Sequence, residues 1–132
     1  MEASHEFWFD HEKLEVYGQS IALIAWLSEL LETLERLGDV RDQLDHASTS
    51  IALNIAEGNG KFSPTDRCEF FDTAHASALE WGAGLDILVA KRKVTPEQIR
   101  LGKESLQGIV RMLMGLIKRN STRDYDQGKG TS

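Results

Sequence analysis

The sequence predicts an all-α protein, an antiparallel up-down-up-down four-helix bundle in a single domain. Three observations carry that prediction. Apolar residues recur at three- and four-residue steps through four long segments. Two of the boundaries between segments, Ser63-Pro64-Thr65-Asp66 and Thr95-Pro96-Glu97-Gln98, carry helix-start chemistry: a hydroxyl cap, proline at the first helical position and an acid or amide in the first turn. Nowhere does a run alternate apolar and polar residues as a half-buried strand does. At 132 residues the chain can bury one independent core, and 41% hydrophobic with 27% charged residues is an ordinary globular composition.

Residues 1–9 have no period, although Phe7, Trp8 and Phe9 are too apolar for a simple tail and are expected to fold back on the bundle or on a neighbouring subunit. Asp10 is placed to cap a first helix reaching about Leu37. Its heptad seam is read as Leu14, Tyr17, Ile21, Ile24, Leu27 or Ser28, Leu31 and Leu34. Leu23, Trp26, Leu30 and Leu37 fall outside that seam, so the apolar arc is wider than one contact needs. Gly38 stops the helix and Asp39 caps the next.

The second helix runs from Val40 to about Gly58, with Val40, Leu44, Ala47, Ile51 and Ile55 on one side. The third starts after Ser63 and reaches about Arg92, with Phe70, Phe71, Ala74, Ala78, Trp81, Leu85 and Leu88 as its inner line. Gly82 and Gly84 weaken it by roughly 1 kcal/mol each relative to alanine if exposed, which makes sense where another helix crosses closely. The fourth helix follows the Thr95 capping box to about Asn120 and buries Ile99, Leu106, Ile109, Val110, Leu113, Leu116 and Ile117. Residues 121–132, rich in Ser, Thr, Gly, Asp and Lys, are expected to be a disordered tail, leaving residues 10–120 as the bundle.

The chain is organised around the stretch from Ser48 to Gly60. Ile51, Ile55 and Gly58 recur at helical spacing beside Ala47, Ala52 and Ala56, giving a face both apolar and thin enough for a second helix to approach. Asn54 sits in that face with Glu57 three residues on, and the two are expected to form an inward structural hydrogen-bond pair. Gly58 and Gly60 are expected to end the helix in the left-handed conformation. The run Ser50-Ile51 to Asn54-Ile55-Ala56-Glu57-Gly58, then Lys61, then Glu69-Phe70-Phe71 leading through Ala74 to Glu80, resembles the core signature of the four-helix bundle family of 23S rRNA intervening-sequence proteins. The accessory proteins of diversity-generating retroelements are similar to that family. The likeness covers residues 12–118 as architecture, with its specific words in residues 47–80. It implies a ring-like homopentamer and association with RNA or DNA, or with a nucleic-acid enzyme such as a reverse transcriptase. Relatives tend to carry basic residues just before the Ser-Ile core, where this chain has Asp45 and His46.

Charge is segregated beneath a net of −6. Residues 1–90 hold 17 acids against 5 bases, a net of −12, and residues 91–132 hold 10 bases against 4 acids, a net of +6. Lys91, Arg92 and Lys93 cluster before the fourth helix, and Arg100, Lys103, Arg111 and Lys118 fall within about 80° of rotation on it. Such a stripe neutralises successive phosphates without reading sequence, although Glu104 interrupts it and a solvated helix face has the same composition. A protein-only scaffold is the second reading, in keeping with the acidic first 90 residues.

Catalysis finds less support in the pattern. Asp72-x-x-His75 is a single pair where a di-iron bundle needs two pairs and two further acids, and His5, His11 and His46 have no spacing that joins it. A Mg²⁺-dependent all-α nucleotide pyrophosphohydrolase would use acid pairs such as Glu29-x-x-Glu32 (with Glu35) and Glu69-x-x-Asp72. Here the former fall on the polar side of the first helix, and Phe70 and Phe71 compete for the inner face beside Glu69. There is no glycine-rich phosphate loop, no Ser-His-Asp ordering and no Cys-x-x-Cys. The single cysteine, Cys68, suits a reducing compartment. The N-terminus lacks the pattern of a signal peptide and no apolar run is long enough to span a bilayer. The expectation is a cytoplasmic, non-enzymatic binding protein with no cofactor or metal and no membrane association.

Overall fold

The computed structural model describes residues 6–121, and the expected disordered tail lies outside them except for Ser121. Four helices form the fold: α1 (Glu15–Glu32), α2 (Asp39–Gly60), α3 (Pro64–Ala90) and α4 (Arg100–Asn120), with a short 3-10 turn at Asp10–Lys13 before α1. No strand occurs among the described residues. Consecutive helices pack side by side and α4 closes against α1, while the backbones of α1 and α3 do not approach each other, nor do those of α2 and α4. The helices therefore stand at the corners of a square, with α1 diagonal to α3. The centre is filled by Trp81 and Phe71, ringed by Leu27, Leu31, Leu44, Ile51, Ile55, Leu85, Ile109 and Leu113. The Trp81 indole nitrogen is buried there without an acceptor among the described residues.

The central pair is α2 and α3, and the sequence makes both thin where they meet. A Cβ on Gly58 would lie 2.7 Å from the Phe71 ring, and one on Gly84 would lie 2.6 Å from Leu44. Between these points the Ser50 and Ser77 hydroxyls share a hydrogen bond of 2.8 Å. Gly82, by contrast, would meet only Leu106 at an ordinary 3.9 Å, so the close crossing requires Gly84 alone of the two. Gly58 and Gly60 are not left-handed. Both lie within α2, which runs two residues further than expected because Gly58 serves close approach and not chain reversal.

The expected Asn54–Glu57 pair does not form. Asn54 is half-buried and its amide donates to the Ser50 carbonyl at 2.8 Å and the Ser50 hydroxyl at 3.0 Å, within its own helix. Glu57 is exposed; three residues past Asn54 the helix has turned it outward, and Gly58 takes the inward place. The polar clasp of this region is Arg67, a residue that stands in no sequence motif. Its guanidinium donates to the Asn59 carbonyl at 2.9 Å, the Lys61 carbonyl at 3.0 Å and the Asn120 side chain at 3.1 Å, joining the α2–α3 loop to the end of α4.

α1 departs most from expectation. Its buried line is Val16, Ser20, Leu23, Leu27 and Leu31, one step around the helix from the expected seam, and Ile21 is exposed. The cause is Ser20: its hydroxyl donates to the Val16 carbonyl at 2.8 Å, so a polar residue occupies a core position at little cost. Asp10 does not cap α1, whose N-cap is Leu14; the Asp10 carboxylate instead accepts from the Asn59 amide at 2.9 Å. α1 also ends at Glu32 and not at Leu37. Arg36 and Gly38 take positive φ near 60°, and Arg41 reaches back to the Leu31 carbonyl at 3.0 Å to satisfy the helix end. Gly38, not Asp39, is the N-cap of α2.

The remaining boundaries follow their chemistry. Ser63 accepts from the Asp66 amide at 3.2 Å and caps α3, with Pro64 first in the helix. α3 ends at Ala90, where Arg92 turns the chain at φ 62°. The Thr95–Gln98 box forms reciprocally, with hydrogen bonds of 2.8 and 3.2 Å. Residues 96–99 nonetheless stay in turns, and α4 becomes regular only at Arg100. Every expected core residue of α3 and α4 is buried except Phe70 and Val110, which are half-buried.

Gly58→Ala should therefore destabilise the fold by about 1–3 kcal/mol through overpacking against Phe71. Gly108→Ala, in the middle of α4 with nothing closer than 3.8 Å, should stabilise it by about 0.5–1 kcal/mol. Arg67→Met should cost about 1.5–3 kcal/mol for its charged hydrogen bonds, whereas Glu57→Gln should stay within about 0.5 kcal/mol of the parent. Urea unfolding followed by circular dichroism measures all four.

Candidate nucleic-acid interface

α4 supplies the candidate surface because its two faces are chemically opposite. Gly102, Leu106, Ile109, Leu113, Leu116 and Ile117 are buried within an arc of about 100°, and Arg100, Arg111 and Lys118 stand exposed on the other side. From Arg100 to Lys118 the stripe runs about 27 Å at 1.5 Å per residue. Its members are not equivalent. Lys103 is half-buried and ion-paired with Asp86 at 2.6 Å, so its charge is already matched. Lys93 donates to the Glu35 carbonyl at 3.3 Å, which holds it over the α1–α2 connection. Lys91 and Arg92 are exposed in the turn that follows α3.

The seven bases named from sequence thus fall into two groups. Lys91, Arg92, Lys93, Arg100 and Lys103 gather where α3 ends and α4 begins, and Arg111 at the middle of α4 and Lys118 in its last turn form a second group, with exposed Glu104 and Gln107 between. The second group includes a further base, outside those seven. Arg119 is exposed in the last turn of α4 and lines, with Arg111 and Glu15, a depression of about 350 Å³ between α1 and α4. The adjacent pair Lys118-Arg119 at a helix C-terminus, where cations are favoured, is the sequence signal that points to it.

The signature residues divide between packing and surface. Ile51, Ile55 and Gly58 are buried, Ser50 and Asn54 are hydrogen-bonded within the α2–α3 seam, and Glu57 and Glu69 are exposed. Phe70 is half-buried beneath Lys61, whose ammonium sits 5.1 Å from the ring centre. These residues set the fold and present no shared reactive centre.

The acids and histidines weighed for metal chemistry do not converge. Glu29, Glu32, Glu35 and Glu69 are exposed, and Asp72 and His75 are half-buried on α3. Among the described residues no three His, Cys, Asp or Glu side chains gather as a metal site. His11 lies parallel to the Phe9 ring, 5.9 Å away, and edge-on to Tyr17; His46 is exposed; His5 lies outside the described residues. Cys68 is buried, with its thiol donating to the Ile117 carbonyl at 3.6 Å. No described helix is long and apolar enough to cross a membrane.

The N-terminal aromatics do not fold onto the bundle. Phe7, Trp8 and Phe9 are exposed, Trp8 most of all at 81%, although the backbone is held by the Trp8 amide donating to Glu12 at 2.8 Å. A groove of about 580 Å³ lies between α3 and α4, with Ala78, Gly82, Ala83, Leu106 and Val110 as an apolar floor.

Three comparisons bear on this architecture. Among curated proteins none matches the sequence. A crystal structure of a Bacteroides thetaiotaomicron protein of unknown function, from the S23 ribosomal protein family, superposes with a TM-score of 0.71 at 24% identity. The alignment covers 78% of this chain and 98% of that one, a likeness of fold. Residues 12–115 match the family described as 23S rRNA-intervening sequence protein. With the match spanning all four helices, the chain belongs to the 23S rRNA-intervening sequence protein family.

Proposed function

We propose that this is a non-enzymatic, cytoplasmic binding protein that acts as a homo-oligomer, in the ring of five that the family resemblance implies, and associates with RNA through the outward face of α4. The observation that carries the reading is the line of exposed Arg100, Arg111 and Lys118 opposite the buried face of α4, extended at its end by Arg119. Cations fixed along a rigid helix give sequence-independent, salt-sensitive contact with a phosphate backbone. A nucleic-acid enzyme such as a reverse transcriptase is a partner that would bring the protein to its nucleic acid. The up-down-up-down order of helices belongs to this reading and is supported by the pairs Gly58–Phe71 and Leu44–Gly84 between α2 and α3, Gly82–Leu106 and Asp86–Lys103 between α3 and α4, and Gln19–Gly108 and Trp26–Gly102 between α1 and α4, each set running in opposite order along its two helices.

A protein-only scaffold remains the second reading because one observation favours it: Asp86 matches the Lys103 charge, which lowers the field of the stripe at that end. The two readings separate in one experiment. Replacing Arg100, Arg111 and Lys118 with glutamate should leave the helical circular dichroism unchanged and weaken binding to a structured RNA at least tenfold. The slope of log affinity against log salt should flatten by about two to three units, at roughly 0.7–0.9 for each phosphate no longer neutralised. Fluorescence anisotropy across a salt series measures both; unchanged affinity and slope would remove α4 as the interface and leave the scaffold.

A further inference from the structure

Two helices of this bundle are apolar on their outer as well as their inner sides, a pattern that belongs to helices covered on both faces. On α3 the exposed residues Ala76, Leu79, Ala83, Ile87 and Ala90 are spaced by 3, 4, 4 and 3 residues and lie within about 40° of one line, opposite the buried Trp81 and Leu88. Leu79 is 55% and Ile87 39% exposed. On α1 the outward residues Gly18, Ile21, Ala22 and Ala25 form a second such strip without a charge, and Ile21 is 44% exposed. From sequence a surplus apolar arc is expected on the first helix; in the structure α3 bears a second strip, whereas Leu101 is the one large exposed apolar side chain of α4. Because α1 and α3 are diagonal, with no close backbone approach between them, their outer strips face away from each other and neither can cover the other within one chain.

We infer that the α3 strip, with the α3–α4 groove beside it, docks the outer face of α1 from a second copy of this chain. The inference rests on the homo-oligomer part of the proposed function and names its contact. Small side chains on both strips permit close helix approach. Charge fixes the pairing and its direction. α1 carries acids and no base, with Glu29 and Glu32 near its end, whereas α3 runs directly into Lys91, Arg92 and Lys93. The two helices also begin at the same end of the bundle: Asp10 is bonded to Asn59, and Arg67 in the first turns of α3 is bonded to the Asn59 carbonyl. Trp26 meets Gly102 and Lys103 meets Asp86, so Trp26 and Asp86 stand at about the same level. A copy rotated about an axis along the bundle therefore sets its Ala25 between Ala83 and Ile87, and its Glu32 beside Lys91–Lys93. Pairing two α3 strips about a dyad at Ala83 would instead oppose Glu80 to Asp86, like charge to like. A contact between two different faces is heterologous: each copy offers one strip and receives the other, and the assembly closes into a ring where the rotation per step divides a full turn and runs on as a filament where it does not.

Cysteine cross-linking tests the contact in a Cys68→Ala background. Co-expressed A25C and A83C single variants should form a disulfide-linked dimer under mild oxidation, each variant alone should not, and the A25C/A83C double variant should give a ladder. In parallel, Ala83→Glu, a change at an exposed position, should keep its helical circular dichroism and run as a monomer in light scattering. If the parent protein is an oligomer but A83C links to itself, or the mixture fails to link, this interface is wrong and the homo-oligomer reading stands. If the parent is a monomer at micromolar concentration, both are wrong.

Discussion

The structure depends on how closely α2 and α3 can approach. Gly58 against Phe71 and Gly84 against Leu44 leave no room for a Cβ at either point, and the Ser50–Ser77 hydrogen bond fixes the register between them. With those helices close, Phe71 and Trp81 fill the centre, and α1 and α4 lie across the remaining sides with their own apolar lines turned inward. Arg67 then ties the loop between the two central helices to the end of α4. What looks in sequence like a compact polar motif is a way of bringing two backbones together without leaving a buried polar group unpaired.

The inside of a bundle built this way is closely packed. The interior is mostly hydrocarbon packed around one indole, and of the polar signature residues Asn54 bonds within its own helix, Ser50 bonds to Ser77 across the α2–α3 seam, and Glu57 and Glu69 are turned to solvent. The distinctive features are all outside: bases on α4, apolar strips on α1 and α3, and aromatics at the N-terminal segment. Surfaces of that kind suit the contacts with other large molecules proposed above. The two kinds of surface also lie on different helices, so the proposed assembly through α1 and α3 would leave the outer line of α4 available.

Much of the fold is legible from periodicity and cap chemistry, and the exceptions have particular causes. The inner line of α3 and α4 can be read because their core positions are held almost wholly by large apolar residues and alanine. The expected seam of α1 falls one step off because Ser20 takes a core position that counting apolar residues gives to its neighbours, and its expected end overruns because Leu37 is buried in the connection and not in the helix. Spacing from Asn54 suggests an inward Glu57, although the same spacing rotates it away once Gly58 faces α3. The basic stripe is legible residue by residue, but its division is not: Asp86 lies on another helix, and only the fold brings it within 2.6 Å of Lys103. The family resemblance is most legible in the short Asn-Ile-Ala-Glu-Gly string, most of whose residues serve packing and so say little about what the outer surface meets.

The central claim is that this protein works through its outer faces, as an assembly that engages RNA. Light scattering after size exclusion, on the parent protein with and without structured RNA at low and then physiological salt, tests it most directly. The account predicts one defined oligomer whose mass rises with RNA at low salt and returns toward its own value as salt is raised. A monomer whose mass RNA leaves unchanged at either salt would contradict it.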